Sequence, residues 1–124
     1  MRRALRVSAR VVDARGIRIR SSSPEESMQS ISVHDLHAGR QRPLIDVREE
    51  HEFAAGHVPG AVNLPMSTIG EHLDELPGEP FDVICQAGGR SARVVEALSA
   101  RGHDATNVEG GTGEWIAAGY DVES

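Results

Sequence analysis

The sequence predicts an α/β fold built on a mainly parallel sheet of about five strands flanked by helices. Three observations carry this. From Ile31 onward, short apolar runs of strand length alternate with segments of helical pattern. Capping and breaking residues (Ser32, Gly39, Gly56, Pro65, Pro77 and Gly102) fall at the boundaries between them. A length of 124 residues suffices for one core and is short for two.

The elements follow in order. SISV gives a short first strand, and Ser32 caps the brief helix VHDLHAG, which Gly39 closes. PLIDV (43–47) is a strand. REEHEFAAG (48–56) starts with acids, which suit the positive end of a helix dipole, and stops at Gly56. GAVNLP (60–65) reads as a strand ended by Pro65, and Ser67 as the cap of a helix TIGEHLDEL that ends before Pro77. FDVIC (81–85) is a further strand, with its following helix starting at Arg90 or Ser91 and placing Val94, Val95 and Leu98 on one face. ATNVEGG (105–111) and TGEWIAAG (112–119) supply the last strand and helix.

Residues 1–29 read as a basic, disordered extension, and residues 30–124 as the folded domain. The first twenty residues hold seven arginines and one acid, although the whole chain is at −6. The extension is either an organellar transit segment or sequence upstream of the true start. The second is favoured because Met28 immediately precedes the first folded segment. An extra strand from VSARVVDARGIRI is a third reading. The acidic remainder argues against nucleic-acid binding, which needs cations to neutralise phosphates. A single cysteine forms no internal disulfide, so a reducing, cytoplasmic setting is expected. No apolar run approaches the ~20 residues that cross a bilayer, so no membrane partner is expected.

Cys85 ends the FDVIC strand, at the sheet edge where α/β folds bind ligands. Gln86, Ala87, Gly88 and Gly89 separate it from Arg90 and Ser91. Two glycines let a short loop curl until successive N–H groups point inward, and the helix beyond adds the positive end of its dipole. A thiol at the focus of that field is driven toward thiolate, the nucleophilic form. The plainer alternative is a small buried hydrophobe closing a central strand. Two glycines, an arginine and a helix start within six positions favour the nucleophile. Cysteine phosphatases and related arsenate reductases carry five residues between Cys and Arg; here there are four. The tighter cradle suits one sulfur atom better than a phosphate.

Three separated motifs carry a resemblance over roughly Ser30 to Val122: LIDVREEHEFAAGHVPGAVNLP (44–65), CQAGGRS (85–91) and NVEGGTGEWIAAGYDV (107–122). In this order and spacing the chain resembles a single-domain rhodanese, of the thiosulfate sulfurtransferase-like family. That resemblance implies a rhodanese-like three-layer sandwich and sulfur transfer. Cys85 would take the outer sulfur of a donor such as thiosulfate, hold it as a persulfide and pass it to a thiophilic acceptor. The backbone of residues 86–91 would stabilise the anionic sulfur, and Arg90 is expected to help bind the donor unless it merely faces solvent. The Cys-Gly-Ser-Gly-Val-Thr loop of mercaptopyruvate-using relatives is lacking, which favours thiosulfate. The alternative is a persulfide carrier or redox-sensing module that depends on a partner protein in a sulfur relay.

Asp46 and Arg48 are expected on the same sheet edge as Cys85, where they either orient the loop as a charged pair or only tie strand to loop. Glu52 is expected on the helix surface and Phe53 in the core. His57 is read as fixing the turn with Pro59 and Gly60, and Trp115 as packing. His34 and His37 lack further ligands, so no metal is assigned, and no cofactor is implied. EGGTG (109–113) lacks the Gly-Lys-Ser/Thr ending of a phosphate loop.

Overall fold

In the computed structural model, which describes residues 28–124, the apolar runs become parallel strands of one sheet. The order along the chain is β1 (Ser30–Ile31), α1 (Val33–His37), β2 (Leu44–Asp46), α2 (Glu50–Ala55), β3 (Val62–Asn63), β4 (Phe81–Ile84), α3 (Gly89–Ala100), β5 (Ala105–Val108) and α4 (Gly111–Ala117). Across the sheet the order is β1-β5-β4-β2-β3, every pair parallel. The expectations for residues 1–27 fall outside the described residues. Met28 and Gln29, assigned to the extension, already make contacts: Met28 packs on the core, and Gln29 O accepts from Asn107 N at 2.9 Å.

Alternation of side chains along the strands sorts the core into two layers. Phe81, Val83 and Cys85 face α3 together with Val94, Val95 and Leu98. Ile84 and Val108 face the other side with Val33 and Trp115, under α1 and α4. The three-layer sandwich follows, because central strands buried on both faces need helices on both. Asp82 breaks the apolar run of β4, yet it is fully buried; Arg40 holds it through Nε at 2.8 Å and Nη2 at 3.0 Å.

The predicted helix TIGEHLDEL is absent. Its place is taken by two short 3₁₀ turns, Ile69–Glu71 and Leu73–Glu75, broken at His72. Ile69, Leu73 and Leu76 carry the right spacing, but Gly70 weakens a helix there. Ser67 does not cap it either, since its hydroxyl donates to Glu49 Oε1 at 2.8 Å. The helix expected from Arg48 begins at Glu50, because Arg48 N is drawn back to Asp46 Oδ1 at 2.9 Å. Among the described residues, no helix is long and apolar enough to cross a membrane.

Candidate active site

Strand β4 delivers Cys85 to the carboxyl edge of the sheet, with its side chain buried on the α3 face. The loop then turns sharply. Gly88 has φ +103°, a conformation that L side chains rarely adopt, and a Cβ there would come within 3.2 Å of Gly110 N. Gly89 needs no such freedom: it opens α3, with open space where a side chain would sit. The helix thus starts one or two residues earlier than the sequence suggested. Its first turn closes on the sulfur, with Gly88 N donating to Cys85 Sγ at 3.1 Å and Ser91 Oγ lying at 3.3 Å. Burial pushes the Cys85 thiol up, but hydrogen bonds from the Ser91 hydroxyl and the N–H groups of Ser91, Gly88 and Ala87 outweigh it, leaving the pKa below that of a free thiol.

Asp46 and Arg48 lie beside this loop as a buried ion pair, Arg48 Nη2 to Asp46 Oδ2 at 3.0 Å. Arg48 also donates to Gly56 O at 2.8 Å and, through Nη1, to the Gln86 side-chain oxygen at 3.2 Å. The pair therefore reaches the active loop through Gln86. Asn63 braces it from β3, donating to Asp46 O and Arg48 O at 2.9 Å each.

Arg90 does not stand free. Its two terminal nitrogens fork onto Glu52 at 2.8 and 2.9 Å, so the residue expected to meet a donor instead ties α3 to α2. Glu52, expected to be plain helix surface, is the anchor of that tie. The Arg90 guanidinium, with a further hydrogen bond from Glu49 N–H, holds its carboxyl down to about 2. Phe53 is only half-buried and stacks on His57, ring centroids 3.6 Å apart. His57 is engaged at Nδ1 by Phe53 O at 2.8 Å, and its backbone pairs with Glu123. Trp115 donates to Asp121 O at 2.7 Å. His34 bonds the Tyr120 hydroxyl, and His37 stacks on the Tyr120 ring.

The segment EGGTG contributes through its backbone. Thr112 N donates to Cys85 O at 2.8 Å and Gly113 N to Gln86 O at 2.9 Å, so the start of α4 grips the active loop from behind. Gly110 and Gly111 have φ +83° and +62°, and a Cβ on Gly111 would lie 2.6 Å from the carbonyl carbon of Gln86. The sequence signal was the glycine doublet at a strand end, which marks a close backbone approach. Asn107, which no sequence argument singled out, points from β5 to Ser91, its side-chain amide 2.6 Å from Ser91 Oγ.

This arrangement can hold a sulfur anion on Cys85 among hydrogen-bond donors. The family model of the rhodanese-like domain matches residues 31–118. A crystal structure of a rhodanese-related protein from Thermoplasma volcanium is similar, with 37% identity and a TM-score of 0.73 over 77% of this chain and 97% of that one. A rhodanese-like domain protein from Staphylococcus aureus is similar at 38% identity and a TM-score of 0.70, covering 78% of this chain and all of its own. A protein of Ogataea parapolymorpha named adenylyltransferase and sulfurtransferase is 33% identical over 94 residues, which are 73% of this chain and 24% of that protein.

Proposed function

The chain belongs to the rhodanese-like domain family, a sulfurtransferase class, and we propose that it moves a sulfane sulfur from thiosulfate to a thiophilic acceptor through a persulfide on Cys85. The observation that carries this reading is the thiol itself, buried at the focus of the loop and held below a free thiol's pKa by donors at 3.1 and 3.3 Å. The Cys85 thiolate attacks the outer sulfur of the donor; an S–S bond forms, and the bond to the inner sulfur breaks with its electron pair leaving on sulfite. The acceptor then attacks the outer sulfur, and the Cys85 thiolate departs. Backbone N–H groups of residues 86–91 stabilise the anionic persulfide. Arg90, committed to Glu52, contributes by fixing the loop, and the reducing cytoplasm is the setting that suits a lone thiol.

The test is mass measurement of the intact protein after thiosulfate. One added sulfur atom, its removal by cyanide as thiocyanate over many turnovers, and loss of both in Cys85→Ser are the expected results. Failure to label with thiosulfate or any persulfide would refute sulfur transfer at Cys85.

One observation favours a second reading, in which the persulfide comes from a partner protein. The only arginine in the loop is already neutralised by Glu52, so a free dianionic donor meets the loop's backbone dipoles and no uncommitted guanidinium from the loop itself. Labelling by a partner's persulfide, with slow or no labelling by thiosulfate, is the outcome that selects it.

A further inference from the structure

Ser91 Oγ lies within reach of three acceptors. Cys85 Sγ is at 3.3 Å, Gly88 O at 3.2 Å and the Asn107 side-chain amide, with its oxygen turned inward, at 2.6 Å. A hydroxyl carries one proton and can donate to one of them fully. If the closest acceptor took that proton, the sulfur would lose its side-chain donor. Asparagine offers a way out, because its amide oxygen and nitrogen are nearly isosteric and exchange places by a half-turn. Among the described residues, none accepts a hydrogen bond from Asn107 Nδ2, so within them the half-turn breaks no bond other than the one to Ser91. The site is otherwise closed. Asn107 sits opposite Val83 in the register of β4 and β5, on the α3 face, and both Asn107 and Ser91 are buried.

We infer that Asn107 turns Nδ2 toward Ser91 and donates into its hydroxyl oxygen, which leaves the one Ser91 proton to Gly88 O and Cys85 Sγ, and the charge of the thiolate draws it to the sulfur over the neutral carbonyl. Asn107 is then a positioning residue that acts on the sulfur through Ser91. This relay rests on the reading of Cys85 as an ionised nucleophile, since a chain of donors ending on sulfur is useful only if the sulfur carries charge. The charged groups around the loop, Arg90 with Glu52 and Arg48 with Asp46, contribute a fixed field that leaves Asn107 untouched.

The test reads thiol ionisation directly, independent of sulfur transfer. Cys85 is the only cysteine, so the pH profile of its alkylation by iodoacetamide has a single origin. Ser91→Ala should raise the midpoint by about 1–2 pH units, the effect of one hydrogen bond to the charged form, and Asn107→Leu should raise it by up to that amount. The double variant should move no further than Ser91→Ala alone, because the amide works only through the hydroxyl. Additive shifts, or an unmoved midpoint in Asn107→Leu, would overturn the relay. Should Asn107→Leu not fold, wild-type protein with labelled asparagine side chains decides the matter. The Asn107 amide protons must report the Cys85 titration and its loss on alkylation, whereas an amide with its oxygen toward Ser91 would keep them turned away and unresponsive. Normal sulfur labelling with a failed relay would leave the proposed function standing. A confirmed relay with no labelling would do the reverse.

Discussion

Replacing Gly111 by alanine tests how far the active loop depends on a segment 26 residues away in the chain. At φ +62° a left-handed conformation costs an L-residue about 1–2 kcal/mol. The new methyl would also lie 2.6 Å from both the carbonyl carbon and the carbonyl oxygen of Gln86. These are backbone atoms, so relief requires α4 and the loop to part by nearly an ångström. That separation breaks or weakens Thr112 N to Cys85 O and Gly113 N to Gln86 O, each a contribution of about 1 kcal/mol. The expected loss is about 3 kcal/mol, or a fall in Tm of more than about 10 °C for a domain of this size. Urea unfolding at neutral pH, with m compared between variants, measures it. Gly89→Ala is the control: the same chemical change, at a position with open space and no positive φ, should stabilise by about 0.5 kcal/mol. A Gly111→Ala protein within 0.5 kcal/mol of wild type would refute the clamp, on the scale of ordinary surface substitutions of about that size.

Other perturbations follow from the charged groups. The Glu52 carboxyl, held at about 2 by Arg90, has a folded pKa below its ordinary value of 4.5, so its stabilisation is present above about pH 4.5 and is lost as pH falls toward 2. Because the pair is partly exposed, the worth is about 1 kcal/mol. Glu52→Gln should lose that at pH 7 and show a flatter acid limb in the pH dependence of Cm, and an acid limb identical to wild type would sink the assignment. Arg48→Ala leaves Asp46 buried and unpaired, at a cost of about 3–5 kcal/mol by denaturant unfolding; a cost below 1 kcal/mol would show that the pair is not buried as described. The Cys85 thiol is lowered on folding, so stability should climb with pH from the folded midpoint up to the unfolded value near ~8.5. That rise should vanish in Cys85→Ser, and its persistence there would assign it to another group.

Much of this site was legible in one dimension. The strand–loop–helix run from Asp82 to Leu98 shows Cys85 at a strand end, glycines that permit a tight turn, and Ser91 at the helix start, because each of these is a property of neighbouring residues. Local reading failed where a local signal was outbid. TIGEHLDEL has helical spacing, but Gly70 and the capture of Ser67 by Glu49 leave only 3₁₀ turns. Arg90 looked like a free cation because its partner, Glu52, lies 38 residues earlier and on another helix.

What the sequence by itself determined is the alternating α/β pattern, the parallel sheet and the placement of the thiol at its carboxyl edge, since periodicity, caps and glycines act over a few residues. Only the tertiary structure decided which groups surround that thiol. The fork of Arg90 on Glu52, the grip of Thr112 and Gly113 on the loop, and the approach of Asn107 to Ser91 all join segments that meet only when β2, β4 and β5 lie side by side. Hydrogen bonds have a reach of about 3 Å, and no spacing along the chain encodes which distant donor will fall within it.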